Sequence, residues 1–166
     1  MRSDIYWITV ETLRPRQLAT SPRPRGGDWL EDEILGWKAA GVSHVASLLT
    51  SEEVEELILG QESELCRKHG LGYTSVPVPD RALPASCSSF IGVAAMLYER
   101  LVAGGAVLVH CRQGIGRASL LAAATICHTG LDGAAAFSAI EVARGRPVPD
   151  TEEQRQWLVA CVERIG

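Results

Sequence analysis

The stretch Ala106-Val107-Leu108-Val109-His110-Cys111-Arg112-Gln113-Gly114-Ile115-Gly116-Arg117 decides the reading of this chain. Its first five residues form a short, almost wholly apolar run. Such a run suits the centre of a sheet covered on both faces. A helical pattern begins at Arg117 and continues to about Thr129. Between strand and helix the backbone must reverse sharply, and Gly114 and Gly116 permit the positive φ this requires.

Successive N–H groups in a strand-to-helix loop can converge as an anion nest, with the helix N-terminus adding positive potential behind it. A dianionic phosphoryl group fits that cradle, held by the loop residues Arg112, Gln113, Gly114, Ile115 and Gly116. Arg117 follows Cys111 by six residues and is placed to grip two phosphate oxygens bidentately. A thiol ringed by such donors is favoured as the thiolate, the nucleophilic form. One environment thus binds the substrate and ionises the attacker. A nucleotide-binding loop of the Gly-x-x-x-x-Gly-Lys-Ser/Thr kind is excluded, because no lysine follows Gly116.

The rest of the chain surrounds this unit with alternating strands and helices. Ile5–Val10 reads as an opening strand. Arg14–Gly27, with three prolines, two glycines and four arginines, reads as a loop with room for a short strand at Leu18-Ala19-Thr20. Asp28, with Glu31 three residues on, has the form of a capping box opening a helix that Gly41 stops. Val42–Leu49 is a buried-strand candidate. Ser51-Glu52-Glu53-Val54 opens one or two short helices ending at His69-Gly70.

Tyr73–Val78 alternates as a strand and runs into a segment with prolines at 77, 79 and 84, which bars a continued helix or ladder. Helices are expected over 86–103, 117–129, 132–144 and 150–165, with Asp132 and Asp150 as caps of the last two. The expected architecture is α/β: a central, mostly parallel sheet of about four to five strands with helices on both faces, residues 1–166 forming one domain. Ligands on such sheets gather at the carboxyl ends of strands, where Cys111 lies.

Composition narrows the function. Hydrophobic residues make up 46% and charged residues 22% of 166, values of a globular chain able to bury its own core. A net charge of −4 argues against nucleic acid as partner. No apolar run approaches the roughly 20 residues that span a bilayer, and Met1–Trp7 lacks a signal-peptide pattern. A cytoplasmic location, with no membrane partner, is the expectation. The five cysteines at 66, 87, 111, 127 and 161 show no zinc-like spacing, so no metal or other cofactor is expected. They read as free thiols, Cys127 and Cys161 as buried apolar residues. Cys66 or Cys87 is a conceivable partner for an oxidised Cys111.

The pattern His110-Cys111-(112–116)-Arg117 resembles the signature of the cysteine-based protein tyrosine phosphatase superfamily, and the compact length resembles its dual-specificity branch. The resemblance runs from about Asp28 onward and implies hydrolysis through a phosphocysteine intermediate. It also implies a general acid about thirty residues before the cysteine, on a loop after a strand, which then serves as the base that activates water. Asp80, 31 residues before Cys111 in the proline-rich loop, matches that position. Low-molecular-weight phosphatases and arsenate reductases have the opposite order of cysteine and acid.

Two positions depart from the family. The hydroxyl residue that usually follows the arginine is Ala118 here, with Ser119 next. Of the glutamine loop of larger members, only Gln154 matches a glutamine, and Asp150 stands where the first would be. By the same resemblance His110 orients the loop. The implied substrates are phosphotyrosine, with phosphoserine and phosphothreonine, in proteins. The alternatives are the same chemistry on a phosphoinositide, sugar or nucleotide, and a non-catalytic phosphate-binding module.

Overall fold

The apolar run 106–110 can be stable only with both of its faces covered, and the fold is arranged to cover them. A computed structural model describes residues 4–165. Met1 to Ser3, where the N-terminal reading begins, and Gly166 lie outside the described residues. In chain order the elements are β1 (Tyr6–Trp7), β2 (Gln17–Ser21), α1 (Leu30–Ala39), β3 (His44–Ser47), α2 (Ser51–Glu56), α3 (Glu62–Lys68) and β4 (Gly72–Ser75). They continue with α4 (Cys87–Val102), β5 (Ala106–His110), α5 (Arg117–Cys127), α6 (Gly133–Arg144) and α7 (Glu152–Ile165).

The strands form one sheet in the order β1-β2-β5-β3-β4. All neighbours are parallel except β1, which lies antiparallel along the edge of β2. Leu108 of β5 sits between Ala19 of β2 and Val45 of β3. Because side chains alternate along a strand, β5 feeds two cores. Val107 and Val109 pack with Phe90, Leu97 and Leu121 of α4 and α5. Leu108 packs on the other face with Ile34, Trp37 and Cys66 of α1 and α3. Every residue of α5 from Arg117 to Ile126 is buried, which its alanine-rich sequence allows.

The α/β architecture is therefore the expected one, and the differences are local. The opening strand shortens to two residues because only Tyr6 and Trp7 pair with β2. Within the loop expected over 14–27, the short strand allowed at Leu18-Ala19-Thr20 is a five-residue inner strand, β2, whose Leu18–Ser21 are buried against β5. Asp28 does not cap a helix: it lies in a 3-10 turn over Gly27–Trp29, and α1 starts at Leu30 with no side-chain cap. The cap of α2 is Thr50, in a reciprocal pair with Glu53.

The ladder of β4 ends at Ser75, although Val76 and Val78 still donate to Ser47 O and Leu48 O at 2.8 and 3.1 Å. Pro77 and Pro79 have no N–H to continue it. Asp132 caps α6 as expected, accepting from Ala135 N at 2.8 Å. Asp150 does not cap α7. Thr151 does, its hydroxyl accepting from Gln154 N at 3.1 Å while Gln154 Oε1 accepts from Thr151 N at 3.2 Å.

The cysteines require a correction. Cys87 and Cys161 form a disulfide between α4 and α7, with Cα atoms 5.8 Å apart. Neither is a free thiol, so Cys87 has no sulfur to offer an oxidised Cys111. Their separation of 74 residues carries no local signal; helix packing brings them together. Cys66 and Cys127 are free, and burial pushes their thiols up to about 12 and about 11. Among the described residues, no helix is long and apolar enough to cross a membrane.

Closing a loop of this length in the unfolded chain is worth about 4 kcal/mol. Reduction with dithiothreitol should therefore lower the urea midpoint by a corresponding amount. An unchanged midpoint in the reduced protein would contradict a bond between Cys87 and Cys161.

Candidate active site

The loop that follows β5 is anchored from below. Gly114 has φ +74°, and a Cβ there would lie 2.6 Å from the carbonyl carbon of Ser21 at the end of β2. Arg23 N donates to Arg112 O at 3.2 Å, tying the same flank. Within the loop, Gly114 N–H donates to Cys111 Sγ at 3.3 Å. Cys111 is buried but for a small opening. Gly116 occupies the cap position of α5, and no side chain caps the helix, so its first-turn N–H groups face the loop.

Arg117 is almost fully buried, and its guanidinium is held by groups from three segments. Nη1 and Nη2 donate to the two Glu53 carboxylate oxygens at 2.6 and 3.0 Å. Nη1 also donates to Val78 O at 2.8 Å and to Leu48 O at 3.4 Å. Nη2 lies 3.3 Å from Asp80 Oδ1. Burial opposes the arginine's charge. The Glu53 bonds and the sulfur of Cys111 outweigh it and raise the pKa of Arg117.

The same opposition acts on Glu53. Burial pushes its carboxyl up, but the bonds from Arg117 and from Thr50 N hold it down, at about 2. The bidentate grip expected for phosphate is thus made with Glu53, and Nη2 is the corner turned toward Asp80 and the loop.

Asp80 sits in a turn closed by Ala82 N donating to Pro79 O at 3.0 Å, with Arg81 at φ +61°. Its side chain is half-exposed. It shares a cleft of about 70 Å³ with Arg81, Cys111, Gln113, Gly116 and Asp150. The cleft has the size for one small anion. A thiol at its floor, backbone donors around it and a carboxylic acid at its rim can together attack a phosphorus centre and protonate the oxygen it releases.

The other expected residues fall into separate groups. Ile115 is buried in the core. Arg112 turns away from the cleft, pairing with Glu56 at 3.2 Å and Glu53 at 3.7 Å. His110 is fully buried, with Nε2 2.6 Å from Glu62 Oε2 and Nδ1 3.4 Å from Cys111 O, a placement suited to fixing the start of the loop. Ser119 is buried with no hydrogen-bond partner for its hydroxyl, and it does not line the cleft. Gln154 is buried as well; beyond its capping bonds, Nε2 donates to Ala82 O at 3.4 Å, bracing the Asp80 turn.

Sequence reasoning did not find Glu53 or Glu62 as partners of this loop. The only trace of Glu53 was its place in the run that opens a short helix, and the sequence contains nothing to link either glutamate to a residue some fifty or sixty positions later. Among the described residues, no group of three or more His, Cys, Asp or Glu is placed to hold a metal ion.

A parallel sheet carrying a thiol-bearing anion loop at the strand end defines a cysteine phosphatase fold. The family model described as PTP-SAK, the Swiss Army Knife protein DSP-PTPase phosphatase domain, matches residues 9–164. The chain belongs to that family and is a phosphatase of the dual-specificity type of domain.

None of the curated proteins matches the chain. Among solved structures it is similar to kinase associated phosphatase (KAP) bearing a substitution of its catalytic cysteine by serine, with TM-score 0.89 and 17% identity over 99% of this chain and 97% of that one. It is also similar to Tk-PTP in the active form, with TM-score 0.76 and 24% identity over 96% and 97%. A third neighbour is PTPMT1 in complex with PI(5)P, with TM-score 0.72 and 17% identity over 89% and 91%.

Replacing Glu53 by Gln leaves buried Arg117 with only the half-exposed Asp80 as counter-charge, and we expect a loss of about 3 kcal/mol at pH 7. The folded carboxyl ionises at about 2 against an ordinary 4.5, so the contribution is complete above pH 4.5 and disappears as pH falls toward 2. Urea unfolding of parent and Glu53→Gln should show a gap that narrows between pH 5 and pH 3. A gap independent of pH would contradict the ion pair.

Proposed function

We propose that the whole chain, residues 1–166, is one phosphatase domain that hydrolyses phosphotyrosine, with phosphoserine and phosphothreonine, in proteins through a phosphocysteine on Cys111. The observation that carries this reading is the common cleft of Cys111 and Asp80, with Arg117 reaching Asp80 from beneath. In the first step the Cys111 thiolate attacks phosphorus. The S–P bond forms as the ester P–O bond breaks, and Asp80 delivers a proton to the leaving oxygen. The loop N–H groups and the positive charge of Arg117 stabilise the charge on the transferring phosphoryl group. In the second step Asp80, now ionised, takes a proton from the attacking water; the water oxygen bonds to phosphorus as the P–S bond breaks, releasing phosphate and regenerating the thiolate. No metal takes part in this scheme.

The neighbour solved with PI(5)P raises the rival reading of a phosphoinositide substrate. A lipid headgroup with several phosphates calls for spare cations at the cleft. Arg81 lines it, but the one arginine inside the loop, Arg112, is engaged by Glu56 and Glu53. That disfavours a substrate carrying several phosphomonoesters; the assay below separates phosphotyrosyl peptides from singly phosphorylated lipids.

Assayed side by side with chelator present, phosphotyrosyl peptides should give a higher kcat/KM than phosphoinositides or nucleotides. Cys111→Ser should abolish turnover while retaining phosphate binding. A preference for phosphoinositides would replace the substrate class, and turnover that survives Cys111→Ser would remove the mechanism.

A further inference from the structure

A second groove lies beside the phosphate loop, built by two segments that each touch Arg112. One is the connection from β2 to α1, where Arg23 N donates to Arg112 O at 3.2 Å. The other is the end of α2, where Glu56 pairs with Arg112 at 3.2 Å. Gly27 N joins the two segments by donating to Ile58 O at 2.9 Å, and a Cβ on Gly26 would overlap Leu57 O. Between them is an open groove of about 330 Å³ whose lining includes Gly27, Asp28, Leu30 and Ile58. Arg112 is the chain neighbour of Cys111 and Gln113, which line the smaller cleft, so the two openings adjoin.

Ile58 is at odds with its place. Helix α2 ends in a Schellman motif, Ile58 N donating to Glu55 O at 3.2 Å and Leu59 N to Val54 O at 2.8 Å. That motif holds Ile58 at φ +56°, a conformation that glycine adopts freely and a β-branched residue resists. Its side chain recovers nothing from the core, being 67% exposed, while Leu59 beside it is buried. Trp29, on the facing segment, is 57% exposed, with the Arg25 guanidinium 4.7 Å from its ring centre. Strain held at an exposed apolar residue points to contact with something outside the chain.

The charge around the groove limits what can make that contact. Asp28, Asp32, Glu52 and Glu55 are exposed on the segments that bound it. Among the described residues, none of the four has an ion pair. The neighbouring cations are already taken, Arg25 by Glu33 at 3.0 Å and Arg112 by Glu56 and Glu53. An apolar centre with an unneutralised acidic rim is complementary to an apolar segment flanked by Lys or Arg. The same rim repels an anionic lipid surface and, face to face, a second copy of itself.

We propose that this groove docks the chain of the phosphoprotein substrate. An apolar residue of the substrate rests on Ile58 and Trp29, and basic residues beside it meet Asp28, Asp32, Glu52 and Glu55, while the phosphotyrosine enters the cleft of Cys111. This assignment rests on the protein-substrate reading given above. The groove selects among phosphoproteins and takes no part in the chemistry, so it acts through KM and leaves small esters unaffected.

Two phosphotyrosyl peptides test this, with Lys-Leu-Lys set before or after the phosphotyrosine across a short Gly/Ser spacer. Each is compared with a match carrying Glu-Ser-Glu. For the parent, one of the basic peptides should have a KM about tenfold below its match, an advantage that shrinks as salt rises. Ile58→Gly should raise that KM about tenfold without changing kcat or the hydrolysis of 4-nitrophenyl phosphate. It should unfold at no lower urea concentration than the parent, because glycine relieves the strained position. Asp28→Lys combined with Glu55→Lys should turn the preference toward the acidic peptides.

Equal KM values for basic and acidic peptides, or a loss in Ile58→Gly that falls equally on 4-nitrophenyl phosphate, would overturn the assignment. So would sedimentation showing a parental dimer that Ile58→Gly converts to monomer, since a second copy would then be the occupant. If no phosphotyrosyl peptide is hydrolysed, the protein-substrate reading falls on its own. Titration calorimetry with the unphosphorylated Lys-Leu-Lys peptides then decides the groove: binding lost in Ile58→Gly supports it as a docking surface, and no binding overturns it.

Discussion

A charged guanidinium removed from water must be surrounded by acceptors, and the site is organised around meeting that demand for Arg117. Its acceptors are Glu53 at the start of α2, Leu48 O after β3 and Val78 O after β4. Leu48 and Glu53 belong to the single connection from β3 into α2, and Val78 reaches them because β3 lies between β5 and β4. Sheet order therefore decides which groups can meet the arginine. The arginine in turn fixes where the loop of Cys111 and the turn of Asp80 face one another. Removing Glu53 would leave the buried cation only the half-exposed Asp80 as counter-charge, a larger penalty than the pair's own net contribution.

A second buried polar contact works on the other side of the loop. His110, at the last position of β5, meets Glu62 of α3 at 2.6 Å and the carbonyl of Cys111 at 3.4 Å. The loop is thus held at both ends, by His110 before the cysteine and Arg117 after it, with Gly114 seated on Ser21 between them. The start of α7 completes the enclosure. Gln154 braces the Asp80 turn through Ala82 O, and Asp150 covers Gly116. The disulfide from Cys87 to Cys161 ties α7 to the helix that follows the Asp80 loop.

What could be read in the sequence was local. The apolar run 106–110 became β5 with the same limits, and the turn chemistry at Gly114 followed from the need to leave a strand and enter a helix at once. The spacing of Cys111 and Arg117 was legible because the loop is a contiguous structure. Asp80 was found only through resemblance to a family. The buried glutamates, the disulfide and the position of Asp150 depend on which helices pack together, and no residue spacing encodes that. Strand β2 was legible only as a short strand at Leu18–Thr20, because the prolines and arginines on both sides masked its full extent, Gln17–Ser21.

The account turns on a phosphoryl group passing through the sulfur of Cys111. Acid quenching during turnover of 4-nitrophenyl phosphate, followed by mass spectrometry of the peptide that spans residues 106–117, tests this directly. The account predicts one phosphate on that peptide, localised to Cys111 and lost in Cys111→Ser. Nitrophenol release with no phosphate on Cys111 at any time, or with phosphate on another residue, would contradict it.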